Sequence, residues 1–524
     1  MILIHPPVIK PCEPPAGIAT LAGCLKRHQV KHTVVDANLE GILSLLGWDC
    51  VRDLPPHLSD RWTIRAYRHL ESNLKSLTSR EGYGNMDRYK RVVRDINRVL
   101  EVSTSHAGVR LSLSNYLDQE YSPVRSMDMM KVAETPEKNP FFPYFRDRFL
   151  TLLERENPTI AGFSLNYLSQ ALCTFAMIGF LKRVNPSLRI ILGGGLVTSW
   201  IRNPDWSNPF KSLVDDMIAG PGEGPLLSIL GIERLAKHDP PDDVVLSGNG
   251  YLSPGKILSY SASRGCYWNQ CSFCPEKAEG NPYRPVPVTD MVSDICALVT
   301  KTEPVLVHLL DNAVSPLHLK AIAESPFGVP WYGFVRVSSH LTDPDFCVAL
   351  KRSGCVMLQL GIESGDEEVL NAMGKGFDLE TASSVLKNLK KAGIAAYAYL
   401  LFGTPTETVE KARKTLDFAV RHRDQIQFLN LAVFNLPTYG PDAKILETGD
   451  FYEGDLSLYR SFMHPMGWDR HLVRELLNRE FRRHPAIAPI IRRNPPIFTS
   501  NHAPFFCDEQ KRSALAHRRN SNSP

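Results

Sequence analysis

The sequence predicts an α/β protein in two successive parts: an open parallel sheet covered on both faces, then a full or partial β/α barrel. Three observations carry this. Short apolar strands alternate with helical segments in both halves, glycine-rich or polar turns follow the strands, and three cysteines crowd together where the second series begins. Such alternation is the pattern of a parallel sheet with helices on its faces. Turns at the carboxyl ends of the strands are where these sheets bind ligands.

Met1–His5 reads as a short apolar strand stopped by Pro6-Pro7. A helix is expected near Pro15–Lys26, and a second strand over Lys31–Asp36. The series resumes with a strand at Thr159–Asn166 and an apolar helix from about Gln170 to Arg183. A strand at Leu188–Leu192 runs into Gly193-Gly194-Gly195, and one at Asp216–Ala219 runs into Gly220-Pro221-Gly222-Glu223-Gly224. Neither loop has the Lys-Ser/Thr pair of a phosphate loop or the GxGxxG spacing, so each reads as a ligand loop or simply as a tight turn. Residues 39–158 interrupt the series with helical signals such as the charged segment Tyr89–Glu101. They are expected to form a helical cap on the sheet, with a lid over a pocket as the alternative.

The chain has 524 residues, of which 43% are apolar and 22% charged, and the mean hydropathy is −0.18. These values exclude a mostly disordered chain, a coiled coil or a fibre. Sixty Lys and Arg against 56 Asp and Glu leave a net charge of +4, which gives no support to a nucleic-acid partner. No apolar run is long enough to span a membrane, and the proline-broken start does not read as a signal peptide. A cytoplasmic location is therefore expected, where thiols stay reduced. An odd count of 11 cysteines argues against a disulfide scaffold. Most of the scattered ones, such as Cys355, read as small core residues.

Cys266, Cys271 and Cys274 differ from the rest, having four and then two residues between them. Thiolates this close converge on one soft metal centre. Three ligands would leave one iron of a cubane cluster open for a substrate or cofactor. A zinc knuckle with its fourth ligand from afar, or three chance core cysteines, are the competing readings.

After the cysteines come strands at Val305–Leu310, Trp331–Val335, Val356–Leu360, Ala395–Phe402 and Ile426–Phe434. They end respectively at Asp311-Asn312, near Arg336, at Gly361-Ile362-Glu363-Ser364-Gly365, at Gly403-Thr404-Pro405-Thr406-Glu407-Thr408 and at Asn435-Leu436-Pro437. Helices at Thr381–Ala392 and Glu407–Val420 fill two of the gaps. Glu363 alone would read as a structural cap, but it shares one polar rim with Asp311, Arg336 and the cysteines. Residues 441–524 follow the barrel, with a helix expected around Asp469–Arg483 and a polar tail from Lys511 to Pro524. This region either closes the barrel or shapes a substrate pocket.

The stretch from Arg264-Gly265-Cys266 through Phe273-Cys274 resembles the cluster motif of radical S-adenosylmethionine (SAM) enzymes, with four residues instead of the usual three between the first two cysteines. Pro6-Pro7 with Pro15-Ala16-Gly17, Val35-Asp36-Ala37-Asn38, Gly162-Phe163-Ser164, Gly193–Gly195 and Gly220–Gly224 resemble the cobalamin-binding domain of the B12-dependent class of that family. The resemblance implies a Rossmann-like cobalamin-binding domain over 1–245, a partial (β/α)6 TIM-type barrel over 246–440 and a small, mainly helical closing region over 441–524. It implies that Cys266, Cys271 and Cys274 hold a [4Fe-4S] cluster. It further implies that Glu363, Arg336, Asp311, Phe273 and Gly403 contact SAM, and that Ser164, Asn166, Gly193, Gly194, Gly195, Gly222 and Glu223 lie against cobalamin. No Asp-x-His-x-x-Gly segment offers an axial histidine.

The activity implied is methyl transfer to an unactivated carbon through a 5′-deoxyadenosyl radical. The alternatives are a non-methylating oxidation or rearrangement, and a metal-containing binding protein without turnover. An external electron donor such as flavodoxin or ferredoxin is implied, together with a small-molecule or peptide substrate that the sequence does not name.

Overall fold

In the computed structural model the strands β1 (Ile2–His5), β2 (Thr33–Asp36), β3 (Ile160–Ser164), β4 (Arg189–Gly193) and β5 (Asp216–Met217) form one parallel sheet in the order β2-β1-β3-β4-β5. The structure describes residues 1–47, 60–234, 238–246, 248, 250–496 and 502–507; Cys50 and the polar tail expected from Lys511 lie outside these. Every residue of β1 and β3 is buried, so both read as continuous apolar runs with no alternation, as strands covered on both faces do. The strands are shorter at one or both ends than their apolar runs, because pairing stops where the chain turns toward a helix.

The insertion supplies helices Arg61–Arg68, Leu70–Leu77, Met86–Thr104, Ser126–Glu134 and Phe142–Glu156, plus a hairpin of Val109–Ser112 with Asn115–Asp118. Met86–Thr104 starts where the Asn85 side chain accepts from Arg88 N–H, and it buries Tyr89, Val92, Val93, Ile96, Val99 and Leu100 on one face. Phe142 and Phe145 pack on Phe180 of the helix Leu168–Val184, each with 5.8 Å between ring centroids. The insertion is thus anchored to a helix of the sheet by aromatic contacts.

The second sheet contains β6 (Ile257–Tyr260), β7 (Leu306–Leu309), β8 (Trp331–Val335), β9 (Cys355–Glu363), β10 (Ala395–Phe402) and β11 (Ile426–Val433), all parallel and in chain order. Helices Val288–Thr302, Pro316–Glu324, Pro344–Arg352, Leu379–Ala392 and Val409–Arg421 make the successive crossovers. This is the six-stranded β/α series expected. β6 was not foreseen, since four residues before the cysteine loop carry too little pattern to register as a strand. β9 runs on to Glu363 instead of stopping at Leu360, because every residue from Cys355 to Glu363 is buried.

Alternation sets the two faces of this sheet. Leu358, Leu360, Ile362, Ala396, Ala398 and Leu400 belong to the core shared with the helices. Tyr332, Met357, Tyr397 and Phe428 belong to a separate inner cluster completed by Ala503 and Cys507. The His502 ring packs tilted against Tyr397, with centroids 4.2 Å apart, and edge-on to Phe428 at 4.5 Å. The C-terminal region also holds helices Arg470–Leu476 and Ala488–Arg493, while a three-stranded antiparallel sheet joins Leu436–Pro437, Thr448–Asp450 and Tyr459–Phe462. The helix expected over Asp469–Arg483 ends at Leu476 and passes into a π-helical turn at Leu477–Phe481. Two compact units result among the described residues: Met1–Lys256 with Tyr452–Leu458 and 495–496, and Ile257–Phe451 with Tyr459–Asn494 and 502–507.

Candidate active site

The cysteine loop leaves β6 through a short ribbon in which Ser263–Arg264 pairs antiparallel with Arg284–Pro285. Gly265 is left-handed at φ +71°, and a Cβ there would fall 2.6 Å from the Pro282 carbonyl oxygen, so only glycine lets the two arms of the ribbon close. Both carboxylate oxygens of buried Asp311 are engaged at the ribbon's base. Ala262 N–H donates to Oδ2 at 3.0 Å and the Ser263 hydroxyl donates to Oδ1. Burial raises the Asp311 carboxyl above its ordinary range against the pull of these two donors. In this structure Asp311 fastens the start of the cysteine loop.

Cys266, Cys271 and Cys274 are all half-buried and unpaired in any disulfide. The loop between the first two is pinned by Trp268. Its indole N–H donates to Gly374 O at 2.8 Å, and its ring lies against Gly376, where a Cβ would come within 2.2 Å. Asn269, at φ +47°, supplies the turn that the longer loop requires. Ser272 N–H donates to Met373 O at 3.0 Å, and Lys277 Nζ donates to Gln270 O at 2.9 Å. The loop is therefore tied on several sides within its own unit.

Above β8 and β9 sits a basic and acidic set. Lys375 Nζ is 3.2 Å from Glu363 Oε1, with only 5% and 11% of the two side chains exposed. Arg336 is buried, donates through Nη2 to Lys375 O, and stacks on Trp268 with Cζ 3.8 Å from the ring centroid. Its Nε has no hydrogen-bond partner among the described residues. Lys375 Nζ also stands 5.7 Å from the centroid of Phe273. Burial pushes the Cys274 thiol up to about 11 and raises Cys271 as well, while Lys375 and Arg336 pull Cys271 back toward the thiolate. The structure thus brings Cys271, Phe273, Arg336 and Glu363 into one neighbourhood. Lys375 was missed in the sequence. Its signal was the triplet Gly374-Lys375-Gly376, whose glycines at φ +70° and +67° fold the lysine back over the rim.

At the end of β10, Gly403 is left-handed at φ +82°, and its N–H donates to Glu407 Oε2 at 2.5 Å. Trp468 Nε1–H donates to the same oxygen at 3.0 Å, and His464 Nε2–H donates to Thr404 O at 2.8 Å. Burial pushes the Glu407 carboxyl up to about 7. Lower in the barrel, Gln359 Nε2–H donates to Tyr399 Oη at 2.8 Å, forming a polar step beneath the rim.

Residues 260–419 match the family model described as the Radical SAM superfamily. Residues 260–419 thus form a radical SAM domain. Members of this family bind a [4Fe-4S] cluster and SAM. Three thiols on one pinned loop, with basic and acidic groups beside them, are a donor set that suits such a cluster with an open iron. An uncharacterised methyltransferase of Pyrococcus horikoshii is 22% identical over 56% of this chain and 70% of its own. A bacteriochlorophyllide d C-12(1)-methyltransferase of Chlorobaculum tepidum is 25% identical over 41% of this chain, and the match spans about half (48%) of that protein's length. Among solved structures, the cobalamin-dependent SAM radical enzyme OxsB superposes with a TM-score of 0.51 at 14% identity, covering 100% of this chain and 61% of OxsB. The radical SAM methyltransferase TsrM from Kitasatospora setae, solved with tryptophan and a SAM analogue, gives a TM-score of 0.50 at 14% identity, covering 84% and 74%. These structural likenesses establish the shared fold.

In the first unit the carboxyl edge of the sheet is also one connected surface. Gly195 N–H donates to Asn166 Oδ1 at 2.9 Å, Asn166 Nδ2–H donates to Ser164 Oγ at 3.1 Å, and Gly220 N–H donates to Thr198 Oγ1 at 2.9 Å. Gly193 and Gly194 belong to the same turn; a Cβ on Gly194 would strike Leu165 O at 2.3 Å. Gly222 is half-buried and Glu223 is buried at the start of helix Glu223–Ile229. At Gly220 and Gly224 a Cβ would meet nothing within 4 Å, so this side of the edge is open. No helix among the described residues is long and apolar enough to cross a membrane.

Proposed function

We propose that this radical SAM enzyme is a cobalamin-dependent methyltransferase that adds a methyl group to an unactivated carbon. The observation that carries the reading is the pairing, in one chain, of a pinned three-cysteine loop with a separate parallel sheet whose carboxyl edge is an open, glycine-lined surface. The methyltransferase names of the relatives point the same way. When bound, the cluster, SAM and cobalamin supply electron transfer, a carbon-centred oxidant and a methyl group.

The chain's own residues have assignable tasks. Cys266, Cys271 and Cys274 would hold the iron. Arg336, with its buried Nε unengaged, suits the carboxylate of SAM, while Glu363 suits its ammonium or ribose hydroxyls. Lys375 holds the Glu363 carboxylate in place until that partner arrives. Phe273 beside Lys375 covers the loop, and the Gly403 turn, held by Glu407, would pass close to adenine. Gly193–Gly195, Ser164, Asn166, Gly222 and the start of the Glu223 helix would lie against cobalamin. Asp311 has both oxygens committed to the loop and serves as its anchor. An external one-electron donor of the flavodoxin or ferredoxin kind, a cytoplasmic setting and a small-molecule or peptide substrate complete the reading.

The test is anaerobic reconstitution with iron, sulfide and cobalamin, followed by iron and corrin analysis and assay with SAM. About four iron atoms and one corrin per chain are expected, with S-adenosylhomocysteine and 5′-deoxyadenosine both formed. Cys266→Ala, Cys271→Ala and Cys274→Ala should each abolish SAM cleavage. Deoxyadenosine without S-adenosylhomocysteine would assign a non-methylating radical reaction, and failure to retain corrin would overturn the cobalamin assignment.

A further inference from the structure

Outside this site, three groups with metal-binding chemistry converge in the first unit. Cys24 and His28 lie four residues apart at the end of helix Ala16–Arg27, and Asp239 approaches them from the segment after 238. One ligand atom from each lies within 4.8 Å of the other two, Cys24 and Asp239 being buried and His28 half-buried. Residues i and i+4 face the same side of a helix, so the thiol and imidazole point together by helical geometry alone.

Independent contacts bring the third ligand. Asp242 N–H donates to Ala19 O at 2.8 Å, Lys26 Nζ pairs with Asp242 Oδ2 at 2.6 Å, and Arg27 donates to His238 O at 3.4 Å. Gly23 permits the approach, since a Cβ there would fall 2.0 Å from Pro240 O. The three groups are therefore held together by contacts that do not depend on a metal.

We propose that Cys24, His28 and Asp239 form a structural zinc-type site, with solvent as the fourth ligand, that staples residues 239–242 to the first helix. Two details fit this. His28 Nδ1–H donates to Cys24 O at 2.8 Å, the kind of backbone carbonyl contact that orients zinc-bound histidines. The Asp239 carboxylate is buried and takes the hydrogen bond of the Cys24 thiol, whose proton a bound metal would replace. A thiolate, an imidazole and a carboxylate suit a borderline-soft divalent ion. Arg234, at 3.2 Å from Asp239 Oδ2, and Arg27, at 3.6 Å from Oδ1, would share the carboxylate with the metal. Thiolate and carboxylate neutralise the dication, and the two guanidinium groups are 31% and 44% exposed and so screened by water.

The test uses the full chain carrying Cys266→Ala, Cys271→Ala and Cys274→Ala, so that the barrel thiols cannot hold metal. Zinc content after dialysis is measured by mass spectrometry, and cobalt(II) serves as a spectroscopic probe. One zinc per chain and a thiolate-to-cobalt charge-transfer band are expected. Adding Cys24→Ser should remove the band and at least tenfold of the affinity. His28→Gln should weaken zinc binding while leaving the circular dichroism spectrum unchanged. No stoichiometric zinc, or zinc and cobalt spectra unaltered by Cys24→Ser in a folded chain, would overturn the proposal.

Discussion

Glu363 and Lys375 show how one contact ties the rim together, since each is buried and each neutralises the other. Removing one partner of such a pair strands a charge, so Lys375→Met is expected to destabilise the protein by about 3–5 kcal/mol. Lys375→Met with Glu363→Gln should recover much of that loss in a urea-melt cycle, and additive losses would show the two groups to be independent. Glu407 gives a pH dependence of known sign. Its carboxyl titrates near 7 in the folded chain and at an ordinary 4.5 when unfolded, so the folded state holds a proton that the unfolded state has lost between those values. Stability from this group is complete below about pH 4.5 and is lost as pH rises to about 7, by up to about 1.4 kcal/mol per pH unit. Glu407→Gln keeps the acceptor for Gly403 and Trp468 and should flatten that slope in denaturation curves taken at pH 5 and pH 7.5. A slope equal to wild type would assign the dependence to other groups.

Among the elements, the loop Gly374–Gly376 has the largest leverage on the cysteines, because Trp268 hydrogen-bonds one end and lies on the other. Gly376→Ala would put a methyl group 2.2 Å from the indole and impose a left-handed conformation on alanine. The variant is expected to fold but to take up severalfold less iron on reconstitution; full iron loading would show that Trp268 does not hold the loop. This coupling was not legible in the sequence. The cysteine spacing and the rim residues Glu363 and Arg336 could be picked out along the chain, since strand ends are marked by a change from apolar to polar residues. Lys375 could not, because its role depends on two glycines bending it back across 12 residues to Glu363. Asp311 was found as a rim residue, but only the folded chain shows its oxygens spent on Ala262 and Ser263.

For the molecule as a whole, the two units should load separately. A Cβ at Gly224 would meet no neighbour within 4 Å, so Gly224→Phe should leave folding and iron content unchanged while preventing corrin retention after desalting. Equal corrin retention would move cobalamin away from this edge. The sequence by itself determined the α/β class, five of the six strands of the second series and the cysteine triad, because these rest on local periodicity and on the spacing of reactive side chains. Tertiary structure decided what no local pattern contains. Partners distant in sequence meet only once the strands are in register: Trp268 with Gly376, Asp311 with Ser263, and Cys24 with Asp239. Burial then sets which of their charges are paired and which atoms are left to receive a ligand.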